Sequence, residues 1–366
     1  MRITRKSLTL ACCAFLLAAS TACEPSEPGD AESRTRGAVE RLGEWEAVSV
    51  TARVDASADE VYAFLRRVAR NGGTAPTRDD AASLSRMEVA FTAGTAEKPL
   101  KEVEKGDRLD SGSMVNFGSL DLTGYRSIGT DFYVRADWRR LDAEFDGSHA
   151  TVSRIAELAR SADDLPPSLA AARDLFEGRW VQMDPEEFDH FARALGGKYG
   201  ERAQRLANSV DLLQSAGAQH HVIDSVRRAL DEHASFRDAG RRDGAELVTV
   251  SLPAREVARD LAVALGPLEE RFDGIGFAWL EQAPDREVTV ELALRGGTLS
   301  GMTVDLGQFL ETERAREAGD LGELPLALSI APGRAVPLKE PKNAKWLAPQ
   351  DVMAAALYGE LGSSGS

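Results

Sequence analysis

Glu287-Val-Thr-Val-Glu-Leu-Ala-Leu-Arg295, then Gly296-Gly297, then Thr298-Leu-Ser-Gly-Met-Thr-Val-Asp-Leu306 is the stretch that decides the fold. Val288, Val290, Leu292 and Leu294 recur with period two, with Thr289 and Glu291 between them, as on a strand that buries one face. The glycine pair supplies a tight turn. Met302, Val304 and Leu306 repeat the pattern on the far side of the turn. Two such strands joined by two residues are antiparallel neighbours with one apolar face.

The same period recurs outward. Val248, Val250 and Leu252 follow a hairpin signal at Asp243-Gly244, and Leu326, Leu328 and Ile330 close the series. Toward the amino end, Val48, Val50, Ala52 and Val54 alternate, as do Met87, Val89, Phe91 and Ala93, and Phe132, Val134 and Ala136. Val115 and Phe117 fall out of phase with Leu120 and Leu122, so a bulge or turn is expected near Gly118. Helical spacing alternates with the strands. Ser57 and Glu60 form a capping-box pair ahead of Val61, Phe64, Leu65 and Val68 in a helix over 57–71. Residues 253–265 and 350–358 read as helices. A run of helices occupies 139–235, interrupted by a short strand at Trp180–Met183, with Asp184-Pro185-Glu186-Glu187 as a strong start signal. Two of its helices are expected over 199–216 and 219–234. The fold class is therefore α+β, an antiparallel sheet with covering helices and an inserted helical region.

The amino terminus reads as an export signal. Arg2, Arg5 and Lys6 precede an uncharged apolar run from Leu8 to Ala19, too short at 12 residues to span a bilayer. Ser20-Thr21-Ala22-Cys23 resembles a lipoprotein cleavage site, with Ser20 where leucine is usual; ordinary cleavage after Ala22 fits the same residues. Cysteine arithmetic favours lipidation of Cys23. Cys12 and Cys13 leave with the signal, and an unmodified Cys23 would be a lone thiol in an oxidising compartment. Residues 1–22 are thus a signal peptide, 23–36 a lipid-anchored flexible tether, 37–361 a single domain and 362–366 a flexible tail. The expected location is extracytoplasmic, anchored to the cell membrane.

Removing Arg2, Arg5 and Lys6 from the 44 basic residues leaves 41 against 59 acidic, a net charge of −18 on the mature chain. That argues against nucleic acid, which demands basic surface. No HExxH, P-loop, GxSxG or GxGxxG occurs, so the chain does not read as an enzyme and no cofactor is implied. Thr95-Ala-Glu-Lys98 is one letter from an SxxK acyl-enzyme motif but lies in a polar connection, and Lys105-Gly106-Asp107 reads as a turn rather than an adhesion motif. His221, Asp224, Asp231 and His233 lie on one helix and read as a polar face rather than a metal site.

The order of lipobox, tether, helix, antiparallel strands, helical insertion and closing hairpins resembles the LolA/LolB-like and LppX/LprG-like envelope lipoproteins. The resemblance rests on Thr130-Asp-Phe-Tyr-Val-Arg-Ala-Asp137, Gly178-Arg-Trp-Val-Gln-Met-Asp184, Glu246-Leu-Val-Thr-Val-Ser-Leu252 and the paired strands at 286–306, loosely over 100–340. It implies a strongly curved, half-open barrel whose concave apolar face holds an acyl lipid or a hydrophobic partner such as another lipoprotein. On that reading and on strand phase, Phe91, Phe117, Phe132, Val134, Trp279, Val290, Leu292, Met302 and Val304 line the ligand face beside helix 57–71. The competing reading is an envelope protein–protein interaction domain without a ligand pocket.

Overall fold

The computed structural model describes residues 30–69, 75–95, 97–104, 106–118, 120–145, 150–160, 162–196, 215–271, 277, 280–309 and 323–363. Cys23, Trp279 and residues 199–214 of the helix expected over 199–216 lie outside them.

Among the described residues, twelve strands form one open, mostly antiparallel sheet in the order β12-β6-β5-β4-β3-β2-β1-β11-β10-β9-β8-β7. In chain order these are β1 (Ala47–Val54), β2 (Met87–Gly94), β3 (Asp110–Phe117), β4 (Leu120–Ile128), β5 (Asp131–Ala136), β6 (Val181–Met183), β7 (Ser235–Arg242), β8 (Ala245–Pro253), β9 (Glu287–Arg295), β10 (Thr298–Asp305), β11 (Pro325–Pro332) and β12 (Lys345–Trp346). Only β12 runs parallel to its neighbour, β6. The helices are α1 (Ala31–Glu40), α2 (Ala58–Ala69), α3 (Arg78–Arg86), α4 (Trp138–Glu144), α5 (Ala150–Arg160), α6 (Ala170–Phe176), α7 (Pro185–Leu195), α8 (Ala216–His233), α9 (Ala254–Arg271) and α10 (Pro349–Ser363).

The hairpin that decided the reading forms as expected. Val290 pairs with Val304 and Leu292 with Met302 across β9 and β10, and Gly296 and Gly297 adopt φ of +59° and +75°, where glycine carries no Cβ penalty. Along β9, Val288, Val290, Leu292 and Leu294 are buried while Thr289 is exposed. The expected irregularity near Gly118 is a register shift between Val115 and Asn116, with Gly118 at φ +62° in the turn. The Ser57–Glu60 capping box is made, through Glu60 Oε2 to the Ser57 amide at 2.8 Å and Ser57 Oγ to the Glu60 amide at 3.3 Å.

Several boundaries and elements differ from expectation. Helix α1 starts at Ala31, inside the segment expected to be tether. Its cap is Asp30, whose carboxylate accepts from the Ser33 amide at 2.6 Å, and it buries Thr35 and Ala38. Its Arg34 bridges Asp238 and Glu246 at 2.5 and 3.2 Å. Helix α10 runs to Ser363, past the expected domain end at 361, and α9 continues to Arg271 through Pro267. Strand β7 and helix α3 carry no clear apolar stripe. Strand β7 is an exposed edge, guarded by Arg237, Arg241 and Arg242 and by a bulge at Gly240.

The helices cover the apolar face of the sheet. Ala38 of α1 and Leu42 pack onto Val50, Val250, Val290, Leu292, Met302 and Leu328, the largest core. Val61, Phe64 and Ala81 of α2 and α3 pack with Val54 and Leu324. At the other end, α5, α6 and α10 meet Val134 and Val181.

The opposite face is crossed by a strap, residues 333–344, that leads from β11 in mid-sheet to β12 at the edge. Gly333 N donates to Ala47 O at 2.8 Å, Ala335 N to Ser49 Oγ at 3.0 Å and Val336 N to Thr92 Oγ1 at 3.0 Å. Ser49 and Thr92 are themselves bonded at 2.7 Å. Val336 is fully buried, and its Cγ1 would lie 2.8 Å from a Cβ placed on Gly112. Further along, Arg126 donates to Lys339 O at 3.0 Å and stacks on Trp180 at 4.5 Å. The crossing ends where buried Asp174 receives both Lys345 (2.7 Å) and Arg179 (2.6 Å), so that its desolvated carboxylate is doubly compensated.

Candidate functional site

Strand register places eight of the nine expected ligand-face residues on one side of the sheet; the ninth, Trp279, lies outside the described residues. Phe91 stands opposite Val50, and Val50 opposite Ile330. Met302 stands opposite both Leu328 and Leu292. On the other flank, Phe91 connects through Ser113 and Tyr125 to Val134. The shared face does not make a shared site. Val290, Leu292, Met302 and Val304 belong to the core under α1. Phe117 packs with Leu122 and Leu141 and meets Phe145 edge-on at 5.6 Å. Phe132 packs with Met183 and Phe188 of α7 and stacks on Tyr125 at 5.7 Å. Helix α2, expected to lie alongside, packs with Val54 at the end of β1. Phe277 packs with Leu265, Leu268 and Leu280 around α9.

An open groove of about 460 Å³ lies elsewhere, between α7 and the end of the strap. Pro185 starts α7 behind the Asp184 cap, whose carboxylate accepts from the Glu186 amide at 2.8 Å. The helix then presents Glu187, His190 and Phe191 at helical spacing. Trp346 of β12 and Pro349 and Gln350 at the start of α10 form the facing wall. Trp346 is 48% exposed, a large ring left in water at the sheet edge. Its place is held by its neighbour: Leu347 is buried and donates its amide to Gln182 O at 2.8 Å. Sequence reading did not single out Trp346. A lone tryptophan in Lys345-Trp-Leu-Ala-Pro349 has no periodic neighbours, and only its polar setting offers a signal.

The polar helix face at 221–233 is α8, and its members part company. His221 Nε2 donates to Ala264 O at 2.6 Å, Asp224 meets Arg227 at 3.5 Å and Asp231 pairs with Arg36 of α1 at 2.9 Å. His233 Nε2 meets Asp260 Oδ2 of α9 at 2.7 Å, and that hydrogen bond holds the Asp260 carboxyl below its usual range, with Arg259 adding to the effect. Donor atoms of Glu232, His233 and Asp260 lie within 4.8 Å of one another.

The two short motifs resolve as turns. Thr95 Oγ1 donates to Lys98 O at 2.6 Å, while the Lys98 ammonium pairs with Asp107, the aspartate of the Lys-Gly-Asp triplet. Asp107 also accepts from the Glu104 amide at 2.8 Å, so this carboxylate closes a loop instead of facing outward. No helix among the described residues is long and apolar enough to cross a membrane. No family model matches the chain, and no curated protein matches it either.

Proposed function

We propose that this is an extracytoplasmic protein, held to the cell membrane by a lipid on Cys23, whose folded domain recognises another envelope protein through the Trp346 groove. The supporting observation is where apolar surface is spent. Of the residues suited to line a lipid cavity, Phe117, Phe132, Val134, Val290, Leu292, Met302 and Val304 are packed into separate clusters, whereas Trp346 stands exposed in an open groove that Phe191 also lines. Tryptophan is among the residues most enriched at the energetic centres of binding surfaces. The sheet belongs to the same reading as a half-open barrel: twelve open strands with right-handed twist curl rather than stay flat.

Carriage of an acyl lipid is the rival. A photo-reactive phenylalanine analogue at position 346, introduced in cells, is expected to give a discrete protein adduct. Phe191→Asp should abolish it, and the same analogue at Val263, which is 76% exposed, should not give it. Lipid recovered in equimolar amount from purified protein, with no adduct at 346, would replace recognition by carriage.

A further inference from the structure

We propose that Glu232, His233 and Asp260 form a binding site for a divalent transition ion of the zinc class, built where the carboxyl end of α8 crosses α9. This goes beyond the recognition role and does not depend on it.

The donor set is one imidazole and two carboxylates, drawn from two helices and gathered within 4.8 Å. Zinc takes nitrogen at about 2.0–2.1 Å and carboxylate oxygen at about 2.0–2.2 Å, and three protein ligands plus water make a common open site. Donors around such an ion stand about 3.3 Å apart. The His233–Asp260 contact of 2.7 Å therefore widens slightly on binding, and Glu232, which is exposed, swings inward. His233 is the last residue of an 18-residue helix, where unpaired carbonyls and the helix dipole favour a cation. Asp260 is already oriented: Arg259 Nε donates to Oδ1 at 3.3 Å, leaving Oδ2 turned to His233. Such an outer hydrogen bond fixes a ligand carboxylate. On binding, His233 Nε2 gives up its hydrogen and holds the ion, and the neutral ligand imidazole carries its hydrogen on Nδ1. His221, Asp224 and Asp231 take no part, each being engaged by Ala264, Arg227 and Arg36 respectively.

The test is calorimetric titration of the chelator-treated full chain with zinc chloride, repeated with cobalt(II) and visible spectroscopy. One ion per chain is expected, with cobalt giving the intense bands of a four-coordinate site. Glu232→Gln, a change at an exposed position, should weaken zinc binding at least tenfold while leaving the metal-free melting temperature unchanged. His233→Gln and Asp260→Asn should abolish binding. Zinc should raise the melting temperature of the wild type and not of Glu232→Gln, so loss of binding and loss of folding are read separately. No uptake by the wild type, or equal affinity in wild type and Glu232→Gln, would overturn the site and leave His233–Asp260 as a tie between two helices.

Discussion

Gly112→Ala tests the strap. The added Cβ would meet Val336 Cγ1 at 2.8 Å and Tyr125 O at 3.2 Å, both inside normal contact. Neither the strap nor β4 can retreat freely: Val336 N is bonded to Thr92, and Tyr125 lies in the paired region of β4. Overpacking of this kind costs about 1–3 kcal/mol. Val336→Ala alone removes two methyl groups from a fully buried side chain, at about 0.8 kcal/mol each plus a cavity cost, so about 2 kcal/mol. The double variant removes the colliding methyl and fills part of the space left. Its cost should fall short of the sum of the two single changes by about 1 kcal/mol or more, with the Tyr125 contact limiting the rescue. Denaturant midpoints read by far-UV circular dichroism on all four proteins measure this coupling. Additive costs would refute the argument, because they would mean that residue 336 does not rest on residue 112.

Three further expectations follow from particular side chains. Leu292→Ala should destabilise by about 2–5 kcal/mol and Glu291→Ala by far less, since Leu292 is in the core and Glu291 pairs with Arg242 on the other face; similar denaturant midpoints would contradict the register. Cys23→Ala should end metabolic labelling with palmitate and release the protein from the membrane fraction, and retained labelling would place the lipid elsewhere. Burial, aided by Asp131 and Glu340, pushes the Tyr133 phenol up to about 12. The unfolded chain ionises first, near 10, so stability should fall between pH 10 and 12, and Tyr133→Phe should lessen that fall in an alkaline melting series. An unchanged slope would show that the phenol is not shielded.

Legibility tracked how each element is stabilised. Strands β1, β2 and β8 to β11 bury alternating aliphatic residues, and period two announces them. Strand β7, with Arg237, Asp238, Arg241 and Arg242, is held by its ladder to β8 and by ion pairs to Arg34 and Glu291, so no apolar period announces it. The strap is harder still. Its seats, Ser49 and Thr92, occupy positions that alternation assigns to solvent, and only the fold brings Ala335 and Val336 to them. The same holds for charge. Asp231 and His233 look like partners on one helix turn, yet their actual partners are Arg36 and Asp260, at distances along the chain that no local spacing encodes. The apolar face expected to hold a ligand was legible as a face, because phase determines side; whether helices fill it depends on packing between segments far apart in sequence.

The seating of β11 beside β1 also sets a timetable. Val48 to Val54 can pair with β2 as soon as both have emerged, but their other edge has no partner until Leu326 to Pro332 follow. The 270 residues between Val54 and Pro325 take, at about 5–20 residues per second, roughly 15–50 s of translation. Throughout that interval the growing chain carries an aliphatic strand with one bare edge, open to any other extended segment. Faithful maturation therefore requires that the nascent edge be occupied by a holding factor or that the chain stay unfolded until its last third has emerged. Slowing translation between residues 54 and 325 should raise aggregation, whereas slowing it after residue 347 should not.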